Sequence, residues 1–228
     1  MDRVTDKVWE AVLTEGQQRA PLSLTDKPIG ERFKEILLFH VPPPARILDP
    51  TCGRKRSWEE ILRENFTGRR LIDLYDVVFC DKRDLGGNIV CDVRSLGLKF
   101  GREEFDAVYY DPPYLYGYED SKDDRRDDYG DYNQSRQELL ELMTLGNEIF
   151  PILLRPEGKL IVKCSDMYVV KDRCFDPLHH HWIEMLTNFI LVDVLINMYH
   201  AWSPTAFQVK HRPCSVVNHT YFLIFRRL

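Results

Sequence analysis

From Arg46 onward, short apolar runs end one after another in an aspartate, and this pattern constrains the fold more than any other feature of the chain. Residues 47–48 lead into Asp49, residues 77–80 into Asp81, residues 88–91 into Asp92, and residues 105–110 into Asp111. Residues 158–164 form a fifth run, with Asp166 two residues past Cys164. These runs have the length and composition of β-strands. Helical periodicity occupies residues 58–65, 136–154 and 178–189, and two further strands are predicted at 191–197 and 220–226. Alternating strands and helices imply βαβ units and a mostly parallel sheet. Ligands of such sheets bind beyond the carboxyl ends of the strands. One aspartate after a strand is an ordinary turn or N-cap residue. Five along one sheet edge point to a site for a polar ligand.

The chain has 228 residues, enough for one domain or a domain with an extension. A single domain over residues 1–228 is expected. Lys and Arg number 31 against 36 Asp and Glu, a net charge of −5 that gives no global basic face for nucleic acid. No 18-residue apolar run is present and the N-terminus lacks an apolar signal core, so a cytoplasmic protein without a membrane span is expected. The six cysteines form no CxxC pair and read as reduced, mostly buried thiols.

Residues 1–19 and roughly 28–40 have amphipathic helical spacing, giving an expected N-terminal helical extension over residues 1–40 that packs on the sheet and helps close its site. Residues 118–133 are dense in Asp, Arg and Tyr and are read as a long exposed loop. The run His179-His180-His181 suits a helix start better than a metal site, since consecutive helical histidines cannot all face one ion. Within residues 199–219, Trp202 and Phe207 interleave with Lys210, His211 and Arg212, a pattern compatible with base stacking and phosphate contact as well as with ordinary hairpin packing.

The most informative chemistry lies in Asp111-Pro112-Pro113-Tyr114, directly after a predicted strand. Two consecutive prolines fix the backbone and keep it out of a helix. The array presents a carboxylate, a proline carbonyl and an aromatic ring. An exocyclic amine on a planar base has two N–H donors and a π-face, so the two oxygens can accept its protons while the ring stacks on it. Its nitrogen lone pair is then available to attack an electrophilic methyl group.

Ile47-Leu48-Asp49-Pro50-Thr51-Cys52-Gly53 together with Asp111-Pro112-Pro113-Tyr114 resembles the S-adenosylmethionine-dependent DNA amino-methyltransferases that modify adenine N6 or cytosine N4, with relatives acting on RNA. The resemblance covers about residues 25–228 and includes the closing stretch 212–225. It implies a Rossmann-like class I methyltransferase fold, an α/β sheet of seven mostly parallel strands flanked by helices, with S-adenosylmethionine as cofactor. It further implies that Asp49, Pro50, Thr51, Cys52 and Gly53 shape the methionine pocket, that Asp81 holds the ribose, and that Asp92 lies near the cofactor adenine. Lys27-Pro28, opening the helix before the first main strand, matches another family feature near the cofactor. Asp111, Pro112, Pro113 and Tyr114 would grip the target base.

Two departures from the family pattern bear on function. The first motif continues Gly53-Arg54-Lys55-Arg56 where the family has a second glycine. Arg54 and Lys55 could bind the cofactor carboxylate or nucleic-acid phosphates, or could mark a lost cofactor site. A separate target-recognition region is expected to have no room beyond residues 118–133, 1–25 and 199–219, and Arg54, Lys55, Lys210 and Arg212 are the candidate nucleic-acid contacts. DNA is favoured over RNA as substrate because the C-terminal resemblance is to the DNA enzymes. An RNA base methyltransferase and an inactive nucleic-acid-binding relative stay open. A dinucleotide oxidoreductase is disfavoured by the absence of G-x-G-x-x-G after the first strand. No metal is required for the reaction.

Overall fold

A computed structural model of the chain describes residues 20–59, 71–114, 116, 135–169, 172–199 and 215–228. The expected helix over 1–19, the loop over 118–133, and Lys210 and Arg212 lie outside these residues. In chain order the elements begin with β1 (Leu24–Thr25), α1 (Ile29–His40), β2 (Arg46–Asp49), α2 (Arg56–Glu59), β3 (Asp76–Asp81), β4 (Ile89–Val90), α3 (Leu96–Lys99) and β5 (Phe105–Tyr110). They continue with α4 (Arg136–Leu153), β6 (Leu154–Cys164), β7 (Met167–Val169), β8 (Cys174–Asp176), α5 (Leu178–Met185), β9 (Phe189–Met198) and β10 (His219–Arg227).

Eight strands form one sheet in the order β1-β9-β10-β6-β5-β2-β3-β4. Only β10 runs against its neighbours, pairing antiparallel with both β6 and β9. The seven expected strands are all present. The eighth is β1, whose Leu24 and Thr25 pair in parallel with Ile196 and Asn197 at the sheet edge. Two residues are too few to show a period of two, so this strand is invisible in the sequence. The β7–β8 hairpin, with Met167 opposite Asp176, is likewise absent from the sequence pattern.

Side chains of alternate strand residues fill two cores, one on each sheet face. Ala107 and Tyr109 of β5, Ile161 of β6, and Phe222 and Ile224 of β10 meet Phe33, Ile36 and Leu37 of α1. Val108, Tyr110, Leu160, Val162 and Leu223 meet Leu139, Met143 and Phe150 of α4 and Trp182 of α5.

Local signals explain where the helices start and stop. Helix α1 opens at Pro28, carries Glu31 in its first turn, and stops at Val41 before Pro42. Pro42 has no N–H and restricts the residue before it. Helix α4 is capped by Ser135, whose Oγ accepts the Glu138 N–H at 3.2 Å. A serine cap of this kind contributes about 1 kcal/mol. Gly146 admits the Phe150 ring, which lies 3.2 Å from where a Cβ would stand. Helix α5 ends at Met185, shorter than the expected 178–189, because Phe189 already begins β9. Among the described residues no helix is long and apolar enough to cross a membrane.

Candidate active site

The candidate site is built on the carboxyl ends of β2, β3 and β5. Beyond β2 the chain turns through residues 50–55, fastened from the neighbouring strand. Cys52 N–H donates to the Cys80 carbonyl at 2.9 Å, and Gly53 N–H donates to Asp81 Oδ2 at 3.1 Å. Gly53 takes φ +49°, a left-handed conformation that glycine adopts without steric cost. Lys55 takes φ 58° and is held there: its ammonium donates to the carbonyls of Gly86 and Gly87 at 3.2 and 2.9 Å and lies over the Phe79 ring. The charge of Lys55 thus closes this turn onto the β3–β4 loop. Arg54 stays exposed at the rim.

Asp49 is 2% exposed. Its carboxyl accepts Trp58 Nε1–H at 2.8 Å and Thr51 N–H at 3.2 Å. Burial pushes its pKa up to about 7, more than the Trp58 and Thr51 hydrogen bonds hold it down. Asp81 is almost as buried and accepts from Gly53 through one oxygen and from Arg83 N–H and Nε–H through the other. Asp92 caps the short turn at residues 93–95, accepting Arg94 N–H at 2.8 Å, and is half exposed.

The two halves of the site meet where Asp111 N–H donates to Thr51 Oγ1 at 3.1 Å. Tyr109, one turn of the pleat earlier, is buried between Phe33 and Trp58, and its hydroxyl bonds Ser57 Oγ at 3.1 Å. The Asp111 carboxylate also has a partner that the sequence reading missed. Lys163 Nζ, on the last turn of the β6 pleat, donates to Asp111 Oδ2 at 2.6 Å. Burial lowers the Lys163 pKa, but the opposing effects of Asp111, Tyr109 and Tyr114 are larger and hold it well above the ordinary lysine value.

These residues line one cleft of about 380 Å³. Of the positions selected from sequence, Asp49, Pro50, Thr51, Cys52, Gly53, Arg54, Asp81, Asp92, Asp111, Pro112 and Pro113 are in its walls. Lys27, Pro28, Lys55 and Tyr114 are not. Lys27 forms an ion pair with Glu35 of α1, and Tyr114 packs half-buried against the α4 face core. Arg83, Arg94 and Lys163 join the walls and balance the acids.

Asp166 departs from the expected row of five. It lies outside the cleft wall, and its buried carboxylate is taken by His179, through Nδ1 at 2.7 and 2.8 Å and the backbone N–H at 3.1 Å. The other two histidines of the run face different carboxylates, His180 with Glu184 at 3.2 Å and His181 with Asp176 at 2.7 Å. Asp176 also holds Tyr116 and Arg136. Burial raises its pKa, but those hydrogen bonds together bring it below the usual carboxylate range.

No family model matches the chain, and no curated protein matches it. Solved structures do. TrmN from Thermus thermophilus aligns with 95% of this chain at 13% identity and TM-score 0.52, and this chain spans about half (52%) of TrmN. The N-methyltransferase NodS from Bradyrhizobium japonicum WM9, solved in complex with S-adenosyl-L-homocysteine, is 13% identical over 96% of this chain and 98% of its own, with TM-score 0.50. The PH0226 protein from Pyrococcus horikoshii OT3 aligns with 87% of this chain and 89% of its own at 13% identity and TM-score 0.50. Together with the strand order, these likenesses show that the chain has the Rossmann-like class I methyltransferase fold.

Proposed function

We propose that the chain is an S-adenosylmethionine-dependent methyltransferase that acts on an exocyclic amino nitrogen of a nucleic-acid base, adenine N6 or cytosine N4 of DNA ahead of an RNA base. The observation that carries this reading is a single cleft that gathers the Asp49–Gly53 turn, Asp81, Asp92 and the rigid Asp111-Pro112-Pro113 array. NodS, of the same fold, was solved with the demethylated form of this cofactor.

The donor and acceptor set fits such a cofactor. Asp81 Oδ2 accepts the Gly53 N–H, and a carboxylate oxygen has a second lone pair with which to accept a ribose hydroxyl. Asp92, in the same cleft wall, suits the adenine amine. The turn at 50–55 and Asp49 suit the methionine portion, whose ammonium and sulfonium are cationic. The bound cofactor would supply an electrophilic methyl group. The residues of the chain do the rest: Asp111 and the Pro112 carbonyl accept the amine N–H bonds, and Tyr114, which here packs against the α4-face core outside the cleft wall, would have to turn toward the base to stack on it. Arg54 at the rim, with Lys210 and Arg212, would meet phosphates. In duplex DNA the target base must leave the stack, at a cost of a few kcal/mol.

Calorimetric titration of S-adenosylmethionine into the protein, with Asp81→Ala as control, tests the cofactor half. Binding in the wild type and its loss in Asp81→Ala is the expected result. No binding, with or without nucleic acid present, would overturn the reading. Methyl transfer to matched DNA and RNA oligonucleotides then separates the two substrate classes.

A further inference from the structure

The Asp111–Lys163 pair places a second polar group at the point where the acceptor base is to be held. The register of β5 on β6, with Tyr110 opposite Val162, brings Asp111 beside Lys163 on one sheet face. Both side chains reach the cleft and both are mostly shielded, with side-chain exposures of 21% and 18%. An ammonium carries three N–H donors. Among the described residues the only hydrogen-bond acceptor of Lys163 is Asp111 Oδ2. A shielded cation with unfilled donors needs a further acceptor, and the cleft is where one can arrive.

Among the described residues Asp111 Oδ1 has no such donor, and in the reading above it is free to accept from the acceptor amine. The pair therefore offers one acceptor and one donor in adjacent positions. The complementary ligand edge carries an N–H donor next to a lone-pair acceptor. An amine on the carbon beside an unprotonated ring nitrogen has this amidine-like edge, and it occurs in adenine at N6 and N1 and in cytosine at N4 and N3. A bare carboxylate would set its second oxygen against the lone pair of the ring nitrogen. With Lys163 on that oxygen, the repulsion becomes a charge-assisted hydrogen bond.

We propose that Lys163 is a specificity-determining residue of the acceptor site, donating to the ring nitrogen next to the amine held by Asp111. The inference rests on the proposed function for its setting. It states which class of acceptor the cleft takes: a planar amino-heterocycle with an unprotonated nitrogen beside its amine.

The test has two arms. In the first, the protein carrying isotope-labelled lysine is titrated with 4-aminopyrimidine, which has the amidine-like edge, and with aniline, which lacks the ring nitrogen. The Lys163 signal is assigned through Lys163→Arg. We expect 4-aminopyrimidine to move that signal and to bind about tenfold or more tightly than aniline, the range of a hydrogen bond to a charged group. Equal binding of the two probes, no binding of 4-aminopyrimidine, or a Lys163 signal that it leaves unmoved would overturn the inference. In the second arm, oligonucleotides with the target base and with its analogue lacking the neighbouring ring nitrogen are compared as methyl acceptors for wild type and Lys163→Met. Wild type should discriminate by about tenfold to a hundredfold in kcat/KM, and Lys163→Met should lose that discrimination. An enzyme that methylates both equally would refute the role. A protein that methylates no nucleic acid yet binds 4-aminopyrimidine at Lys163 would refute the proposed substrate and leave this inference standing.

Discussion

Thr51 and Asp111 are joined by a hydrogen bond from the Asp111 backbone to the Thr51 hydroxyl, 3.1 Å across the cleft. One residue belongs to the turn after β2 and the other to the turn after β5. The contact therefore ties the half of the site read as cofactor-binding to the half read as base-gripping. It also fixes the start of the Pro112-Pro113 array, whose prolines leave the chain little freedom to adjust.

Removing that hydroxyl should uncouple the halves without destroying the fold. Thr51→Val leaves the Asp111 N–H without its acceptor and is expected to cost about 1–2 kcal/mol of stability. Methyl transfer should fall more than cofactor affinity does, because the displaced group is Asp111. Thr51→Ser keeps the oxygen and should restore most of both. Thermal melts with cofactor titration and single-turnover rates check this, and equal losses in Ser and Val would refute it.

Seven of the eight strands were legible because each carries its own signal, an apolar run of strand length, most of them closed by a turn residue. Asp49, Asp81, Asp92 and Asp111 could be placed on one edge because parallel βαβ connections put successive strand ends on the same side. What stayed hidden depends on register. Lys163 sits in Lys159-Leu160-Ile161-Val162-Lys163-Cys164, which reads as a buried strand with a lysine near each end. Only the pairing of Tyr110 with Val162 reveals that the second lysine meets Asp111. Asp166 was misplaced for a similar reason. Its neighbour in space is His179, which a hairpin the sequence did not announce brings back to it. Lys55 was a candidate contact for the cofactor carboxylate or for phosphates, and its partners Gly86 and Gly87 lie in a loop that no pattern connects to it.

Gly158 in β6 gives a prediction about folding alone. A Cβ there would stand 2.8 Å from the Arg155 carbonyl oxygen and 3.2 Å from that of Asp106. Both are backbone atoms near the irregular register between β5 and β6, so neither can swing away as a side chain would. Gly158→Ala is expected to destabilise by about 1–3 kcal/mol. Chemical denaturation would measure it; a neutral result would mean that the strand relaxes by sliding.

Asp49 should make cofactor binding proton-linked. Its pKa of about 7, against an ordinary value of 3.8, means that the folded protein keeps a proton there which the unfolded chain has lost. The stability from this protonated group is fully present below about pH 4 and is lost as pH rises to about 7. Asp49→Asn removes the titration, so its melting temperature relative to wild type should rise between pH 5 and pH 8. A cation entering the cleft favours the ionised carboxyl, so S-adenosylmethionine should expel up to about one proton near neutral pH. Titrations in buffers of different ionisation enthalpy read that release directly. S-adenosylhomocysteine, without the sulfonium charge, should release less.

The Asp111–Lys163 pair makes the last prediction, and its sign depends on pH. In wild type the ammonium is shielded by burial but held charged by Asp111, Tyr109 and Tyr114. Asp111→Asn removes the largest of these attractions and leaves the lysine facing an uncharged amide. Burial then acts with less opposition, and the lysine pKa should drop below its ordinary value of 10.5. Leaving a mostly shielded charge without its partner should cost about 1–3 kcal/mol near neutral pH. The wild-type ion pair contributes stability until pH passes the raised lysine pKa, whereas the variant regains stability as soon as its lysine loses the proton. The gap in melting temperature between wild type and Asp111→Asn should therefore narrow as pH rises from 7 to 10. The double variant Asp111→Asn/Lys163→Met carries no charge to strand and should show no such trend. A gap that stays constant in Asp111→Asn would mean that solvent reaches the ammonium and replaces its partner.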